Sequence, residues 1–435
     1  MQFDSDVLIL GTGLAPLIAA VRLMHEGRRV LVLNPDWDFF SEGSELSLDP
    51  GLLQAELFAR DEGAAASYVQ RNQPSQILET IRPDFPGAIE LAGDQVFGFH
   101  DLAAPHVRSR QLLWISEVHA AGAARFEEFF ISSQLPTKLQ PQWLNPANAL
   151  SRFPGMNPRR AVELSERTDA EWRGLLLPKF GELDLDRYRY SVLEYLREKV
   201  GSERVITGVS DLDAIPGGFR FVENGQARTA RFTEGVLGFW TPRMKRWMMK
   251  LMPERDYRVL AKDVESRTFY LEDWSLVSRD SLDPQVVGLF EDLLVWAEAP
   301  PVGVPDRRGN LSRTLRVLRW TGEDATVARE EMTDQSLGSI SRLTRDFLGW
   351  NRFSVHSLVR RTWTLPPSDP KNEWELQGLR FFPSGNMPVA ICSRAGGSLP
   401  EVVSAARFAV DQWLRRFSEN SSETQSNRKP DEVLS

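Results

Sequence analysis

The pattern of apolar and polar positions is most regular at the start of the chain. A short apolar run over residues 6–10 predicts a buried β-strand, and apolar positions at helical spacing over 14–26 predict an amphipathic helix. A second apolar run, 30–33, predicts another buried strand. A strand, a helix and a strand within about 30 residues are typical of the β-α-β unit of a parallel sheet.

The turn between this first strand and the helix is rich in glycine. It consists of Gly11, Thr12, Gly13, Leu14 and Ala15. In a dinucleotide-binding turn, the first glycine permits a tight bend and the second lets a pyrophosphate approach the N–H groups at the helix start. Pro16 replaces the third glycine or alanine of that fingerprint, and proline is tolerated in a first helical turn. The sequence predicts a pyrophosphate-binding turn; the alternative is a glycine-rich turn without a ligand.

The ribose-binding position of the same fingerprint is occupied by an amide. The fingerprint has an acidic residue at the end of the second strand, where this chain has Asn34. An amide lacks the charge-assisted strength of a carboxylate hydrogen bond. We therefore expect a weakened ribose contact, unless Asp36 supplies a carboxylate from the following loop.

Two later blocks repeat the alternation of strands and helices. Helical spacing over 185–200 is followed by short β-runs up to residue 240, and a β-run over 387–392 precedes a helix that we expect to end at Phe417. The regions between the blocks are less regular. They predict helical or mixed structure over 110–130, strands over 268–277 and 315–320, and a helix over 334–348.

Together the three blocks resemble the FAD-dependent oxidoreductases with a glutathione-reductase-type fold, especially the amine oxidase and phytoene desaturase branch. The resemblance implies FAD as the cofactor and places Val209 at the adenine side of FAD. It also implies that a strand end and a helix start near the C-terminus lie close to the flavin. These residues are Ser393, Gly396, Gly397, Ser398 and Leu399.

The chain departs from this family at three FAD-contacting positions. Asn34 replaces the ribose acid, an acidic segment over 41–45 replaces a Gly-Gly-Arg sequence, and Cys392-Ser393 replaces Gly-Asp. Two interpretations fit these changes: a divergent flavoenzyme that binds FAD weakly, or a protein that keeps the fold after losing FAD. The first block also resembles the Rab GDP-dissociation inhibitors, which use this fold to bind a prenylated protein without FAD.

We therefore predict an α/β protein with a Rossmann-like FAD/NAD(P)-binding domain and a mixed α+β substrate domain formed by insertions. The polar composition of the C-terminus predicts a disordered tail. The FAD-binding domain is expected to comprise residues 1–60, 180–242 and 380–417, the substrate or partner domain 61–179 and 243–379, and the tail 418–435.

Composition and charge exclude other classes of protein. Lys and Arg number 52 against 60 Asp and Glu, so the chain has no overall positive charge for binding nucleic acid. The single cysteine, Cys392, excludes a disulfide within the chain, and the five scattered histidines show no metal-ligand spacing. No apolar run is long enough to span a membrane, and no basic segment precedes the first apolar run. We expect a cytoplasmic protein without a metal site.

The expected activity follows from the resemblance. It implies an oxidoreductase that oxidises an amine or an apolar or aromatic small molecule by hydride transfer to flavin, and the sequence assigns no catalytic side chain. The alternative is a non-catalytic, chaperone-like binding protein with a protein partner. Residues 243–252 are basic and rich in Met and Trp. They are predicted to form either a connector helix packed against the substrate region, or a helix that makes a peripheral membrane contact or guards an apolar substrate channel.

Overall fold

The structure is a computed structural model, and its helices and strands lie within a defined set of residues. It describes residues 2–40, 45–46, 100–117, 142–144, 172–183, 185–241, 244–265, 268–278, 285–290, 293–298, 311–320, 329–341, 354–364, 379–384, 387–392 and 397–426. The α-helices of these residues are α1 (Leu14–His25), α2 (His100–Ala103), α3 (Leu185–Val200), α4 (Lys245–Leu251), α5 (Glu254–Glu265), α6 (Arg329–Ser341) and α7 (Leu399–Ser426). The 3₁₀ turns are Ala104–His106 and Ser202–Arg204.

The strands are numbered in chain order. They are β1 (Gln2–Leu10), β2 (Val30–Leu33), β3 (Glu45–Leu46), β4 (Val107–Glu117), β5 (Gln142–Leu144), β6 (Trp172–Leu183), β7 (Val205–Ile206), β8 (Val209–Ile215), β9 (Gly218–Glu223), β10 (Gln226–Phe239), β11 (Thr268–Ser278), β12 (Gln285–Phe290), β13 (Leu293–Glu298), β14 (Leu311–Trp320), β15 (Ser354–Thr364), β16 (Leu379–Ser384), β17 (Met387–Cys392) and β18 (Gly397–Ser398).

The chain divides into two compact units, and unit 1 is built on a parallel sheet. Unit 1 comprises Met1–Glu45, Arg189–Val264 and Pro370–Ser435. Its strand order is β16-β17-β10-β1-β2-β7, and the neighbouring strands from β17 to β7 are parallel. Strands β8 and β9 continue from β10 as an antiparallel meander. The predicted Rossmann-like α/β architecture is confirmed.

Both faces of this parallel sheet are covered, which explains the apolar runs in β1 and β2. Alternate positions of the two strands, such as Leu8 and Leu31, belong to a core cluster that also contains Trp247 and Met248 of α4. The remaining positions point to the opposite face. Helix α1 contacts both strands, and α7 packs along α1 with an Arg22 Nη2–Asp411 Oδ1 distance of 2.9 Å.

The Met- and Trp-rich segment over 243–252 contributes to the core of unit 1. In α4, the side chains of Trp247, Met248 and Leu251 are buried, whereas Met249 is exposed. The sequence analysis ended the FAD-binding domain at residue 242, but unit 1 continues to Val264 and includes α4 and α5. The difference arises because α4 packs on β8 through apolar side chains whose partners the sequence does not identify.

Unit 2 is built on a second sheet, which is mostly antiparallel. It comprises Leu46–Tyr188 and Glu265–Asp369. The strand order is β15-β11-β14-β13-β12-β4-β6-β5, with only the β12–β4 pair parallel among the described strands. The strands predicted over 268–277 and 315–320 are confirmed as β11 and β14.

Two predictions in the insertions need correction. Of the region 110–130, predicted as helical or mixed, residues 110–117 lie in strand β4, which pairs along almost its whole length with β6, and residues 118–130 lie outside the described part of the chain. The helix predicted over 334–348 begins earlier, since α6 spans Arg329–Ser341, and residues 342–348 lie outside the described part of the chain. No helix of the described residues is long and apolar enough to cross a membrane.

The predicted disordered tail is wrong in its first part. Helix α7 continues through residue 426 and does not end at Phe417. Extending a formed helix adds one hydrogen bond for each residue ordered, so a packed helix can propagate into a polar sequence. Residues 427–435 lie outside the described part of the chain.

Trp413 fastens α7 to the sheet of unit 1. It is among the largest fully buried side chains, and its Nε1 donates a hydrogen bond of 3.1 Å to Glu234 Oε2 on β10. We expect Trp413→Ala to lower the free energy of unfolding by about 3–5 kcal/mol, because it leaves a cavity and an unpaired carboxylate oxygen. The exposed Arg415→Ala on the same helix should change it by less than about 0.5 kcal/mol. Similar urea midpoints for the two variants would contradict this role.

Lys250 of α4 connects the helix to β8 through two ion pairs. Its Nζ lies 2.6 Å from Asp211 Oδ1 and 2.7 Å from Asp213 Oδ1. These hydrogen bonds from Lys250 lower the pKa of both carboxyl groups, and the two aspartates, Asp211 foremost, raise the pKa of Lys250. The stabilisation is therefore fully present between the ordinary values of 3.8 and 10.5. It is lost below that window as the carboxylates protonate, and above it as the amine deprotonates.

We expect Lys250→Met to lower the melting temperature at pH 7. The difference from the wild type should shrink as the pH falls below 3.8 or rises above 10.5, the ordinary carboxyl and amine values. Thermal melts at pH 3, 7 and 11 would measure it, with Lys245→Met, exposed on the same helix, as the control. A difference that does not vary with pH would show that the ion pairs contribute nothing.

Candidate functional site

The predicted pyrophosphate-binding turn lies where β1 ends and α1 begins, at the carboxyl edge of the parallel sheet. Gly13 precedes the helix with φ 79° and ψ −162°, a backbone conformation that is almost restricted to glycine. Gly11 packs so closely on β10 that an added Cβ would stand 3.0 Å from Phe239 Cβ. Gly13 is therefore favoured by its backbone conformation and Gly11 by its close contact with β10, as in a dinucleotide-binding turn.

The chain itself closes this turn. The residues from Gly11 to Leu14 are all buried, and the N–H of Gly13 donates a hydrogen bond of 2.6 Å to the carbonyl oxygen of Phe39. The side chain of Phe39 is only 1% exposed. Phe39 belongs to residues 34–40, which follow β2 and which we call the cover segment.

Backbone hydrogen bonds hold the cover segment to the connection between β7 and β8. The carbonyl of Asp36 accepts a bond of 2.7 Å from the N–H of Gly208. The backbone of Asn34 forms two bonds to the same connection: its N–H donates to the carbonyl oxygen of Ile206, and its carbonyl oxygen accepts from the N–H of Val209. These bonds place Asn34 and Val209, two of the predicted FAD-binding residues, in direct contact.

The side chain of Asn34 is buried and only partly satisfied. Its Oδ1 accepts a hydrogen bond of 2.9 Å from the N–H of Asp36, whereas its Nδ2 has no partner within the described part of the chain. An unpaired buried donor costs free energy, so it marks a place where a ligand acceptor would be favourable. At the ribose position, such an acceptor would be a hydroxyl oxygen.

The outer side of the cover segment carries aromatic residues. Trp37 is 77% exposed, and its ring lies over Gly208, where an added Cβ would come within 2.7 Å of Trp37 Cε3. The ring of Phe40 contacts Tyr190 edge to face at 5.2 Å between centroids, and the Arg189 guanidinium lies 5.6 Å from its centroid. The outer contacts are thus partly exposed, in contrast to buried Phe39.

The charge of the cover segment is negative. It contains Asp36 and Asp38 and no lysine or arginine. Asp38 Oδ1 accepts a hydrogen bond of 3.3 Å from the N–H of Phe40, which bends the segment back toward the turn. Groups of acidic, histidine and cysteine side chains that could bind a metal ion are absent among the described residues.

In this arrangement the turn does not fit a pyrophosphate. The bends at Gly11 and Gly13 have the form that a pyrophosphate needs, but the Gly13 N–H is engaged by Phe39 and the turn is fully buried. The closed form therefore has to open before a phosphate oxygen can replace the Phe39 carbonyl.

The remaining predicted site residues lie at the start of α7 or outside the described part. Gly397 and Ser398 form β18, and Leu399 is the first residue of α7. Ser393 and Gly396 fall outside the described residues. The sequence analysis missed Phe39, although the pair Phe39-Phe40 at the end of an acidic loop was a visible signal of a buried anchor.

Comparison with known proteins shows the fold. No family model and no curated protein matches the chain. Among solved structures, the chain is similar to L-proline dehydrogenase from P. horikoshii, with a TM-score of 0.55, 10% identity, and 96% of this chain and 95% of that chain covered. It is also similar to L-alpha-glycerophosphate oxidase from Mycoplasma pneumoniae with FAD bound, with a TM-score of 0.54, 11% identity and 95% of both chains covered.

A third similar structure is NikD, described as an unusual amino acid oxidase essential for nikkomycin biosynthesis. Its TM-score is 0.54 at 14% identity, with 95% of both chains covered. At such identities the similarity establishes the fold. The chain therefore has the fold of these oxidoreductases over almost its whole length.

The conformation of Gly13 is testable by substitution. We expect Gly13→Ala to lower the free energy of unfolding by about 1–3 kcal/mol, because alanine is strained at this φ and ψ. Gly27→Ala is the matched control: its φ is 77°, nothing lies within 4 Å of an added Cβ, and it should cost about 1 kcal/mol. Chemical denaturation that shows no larger loss at Gly13 than at Gly27 would contradict the special conformation of Gly13.

Proposed function

We propose that this chain is an FAD-dependent oxidoreductase that acts on an amine-type substrate. The observation that carries the proposal is the turn at Gly13, which has a glycine-only conformation at the start of α1, in a chain with the fold of amino acid oxidases and a proline dehydrogenase. One of the similar structures contains FAD. Asn34 is a neutral amide at the ribose position, where the family has a carboxylate. We therefore propose that FAD binds more weakly than it would with a carboxylate there.

The roles of the predicted residues follow from their positions. In an open form, the N–H groups of Gly13 and the first residues of α1 would face the pyrophosphate. Asn34 Nδ2, which lacks a partner among the residues that the structure describes, would donate to the ribose, and Val209 would lie beside it at the adenine side. Ser393, Gly396, Gly397, Ser398 and Leu399 are proposed for the flavin end.

Strand register in unit 2 supports an apolar or aromatic substrate. Cross-strand pairing aligns Trp114, Val287, Trp296 and Arg316 in one row, so these positions share one face of the sheet. Trp274 occupies the opposite face of β11 and is only 2% exposed, which identifies that face as the core side. We propose that the tryptophan row provides the apolar surface for the substrate.

A second candidate function is a binding protein that has lost FAD. The specific observation in its favour is the closed turn, in which the Phe39 carbonyl accepts the Gly13 N–H and the cover segment is acidic. In that case the protein would bind a partner of another kind and would contain no flavin.

Calorimetric titration of FAD into flavin-free protein distinguishes the weakly FAD-binding oxidoreductase from the binding protein that has lost FAD. We expect a dissociation constant in the micromolar range, because each lost charge-assisted contact weakens binding by about tenfold or more. No heat at high micromolar FAD would favour the binding protein. A low nanomolar constant would contradict the weak-binding part of the proposal.

The substrate class can be tested on the FAD-loaded protein. In the absence of oxygen, benzylamine should reduce the bound flavin and so bleach its absorption band at about 450 nm, a band that belongs to the oxidised cofactor. We expect Trp296→Ala to raise the KM for benzylamine about tenfold and to leave that for methylamine nearly unchanged, because only benzylamine has a ring to pack on the tryptophan row. If both amines are affected equally, the row does not contact the substrate.

A further inference from the structure

We propose that the cover segment, residues 34–40, is a displaceable lid that competes with FAD for the N–H of Gly13. This inference rests on the proposed function. In the closed form the carbonyl oxygen of Phe39 stands 2.6 Å from the Gly13 nitrogen, the place that a phosphate oxygen takes in a dinucleotide-binding turn. One donor cannot serve both acceptors, so FAD binds only to molecules in which the lid is open.

The lid is attached unevenly, which allows it to open without breaking the sheet. Its base is firm, because Asn34 forms backbone bonds to Ile206 and Val209 and continues β2. Beyond the base, the segment is held by bonds from the N–H groups of Gly208 and Gly13 to the carbonyl oxygens of Asp36 and Phe39, and by the buried ring of Phe39. Asp38 and Phe40 also contact Tyr190 through their side chains. Opening beyond Asn34 therefore exchanges a few contacts and leaves the pairing of β2 with β1 and β7 intact.

The charge of the lid and the hydrogen bonds at its base both favour opening of the lid when an anionic ligand binds. The lid carries two carboxylates, Asp36 and Asp38, and no lysine or arginine, and the Phe39–Gly13 bond joins it to the start of α1, where a helix favours negative charge. A pyrophosphate would be repelled by these carboxylates and would be favoured once they move away. The buried Asn34 Nδ2, which has no partner among the described residues, stays at the base of the lid, where an entering ligand would give it an acceptor.

The lid predicts an unusual hydrogen-exchange response to FAD. Ligands usually slow the exchange of the segments that they touch. In the wild-type protein at saturating FAD, we expect residues 36–40 and the Gly208 amide to exchange faster, because their bonds are released. The Gly13 amide should stay protected, because a phosphate oxygen replaces the Phe39 carbonyl. Slower or unchanged exchange over 36–40 would overturn the lid.

Substitution of the buried anchor provides the second test. Phe39→Ala should populate the open form, and apparent affinity scales with the binding-competent fraction. We therefore expect FAD to bind about 10- to 100-fold more tightly to this variant, with a faster association rate. Met249→Ala, which truncates an exposed apolar side chain of α4 outside the lid, is the control and should leave FAD affinity unchanged.

A gentler variant covers the case in which Phe39→Ala does not fold. Asp38→Ala removes the bonds that this carboxylate accepts from the Phe40 N–H and the Tyr190 hydroxyl. It should tighten FAD binding by a smaller factor, about threefold to tenfold. Equal affinity in wild type, Phe39→Ala and Asp38→Ala would overturn the lid while leaving the oxidoreductase proposal intact. Absence of FAD binding in all of them, at high micromolar FAD, would overturn both.

Discussion

The parallel strands β10, β1 and β2 have to be covered on both faces, because parallel strands are buried between layers in folds of this kind. Much of unit 1 follows from that requirement. Helix α1 covers one face directly after β1, and α4 contributes Trp247 and Met248 to the other. The chain returns from a distant part of the sequence to add α7, which Arg22 and Trp413 attach to α1 and β10.

The same arrangement places the start of α1 at the carboxyl edge of the sheet. Helix starts have unsatisfied N–H groups, and something must accept their hydrogen bonds. A dinucleotide-binding protein satisfies them with phosphate oxygens, whereas here the Phe39 carbonyl accepts from Gly13. The glycine conformations are kept in full, although the chain itself fills the acceptor position. The turn has the glycine conformation of a ligand-binding turn, but its own chain closes it. The first feature fits a flavoenzyme that binds FAD weakly, and the second fits a protein that has lost FAD, the two interpretations that the sequence leaves open.

The second sheet depends on a different constraint. Its antiparallel strands need only one buried face, so the other can carry polar and aromatic residues. Register decides which residues share a face: Trp114 of β4 aligns through β12 with Trp296 and Arg316, which lie far from it in sequence on β13 and β14. The face of β11 that carries Trp274 is the core side, because Trp274 is buried.

The sequence by itself determined the β-α-β unit at the N-terminus, the meander over β8 to β10 and the start of α7. Each of these rests on local signals: apolar periodicity, turn glycines and the spacing between them. The sequence also identified Gly11 and Gly13, because the fingerprint depends on backbone geometry over a few residues. Tertiary structure decided what periodicity cannot encode. Residues 107–117 became a strand because β6 pairs with them, and α7 extended past Phe417 on an already formed helix. It also decided that Phe39 closes the turn, since the bond to Gly13 joins residues whose approach depends on how β2, β7 and the following loop pack together.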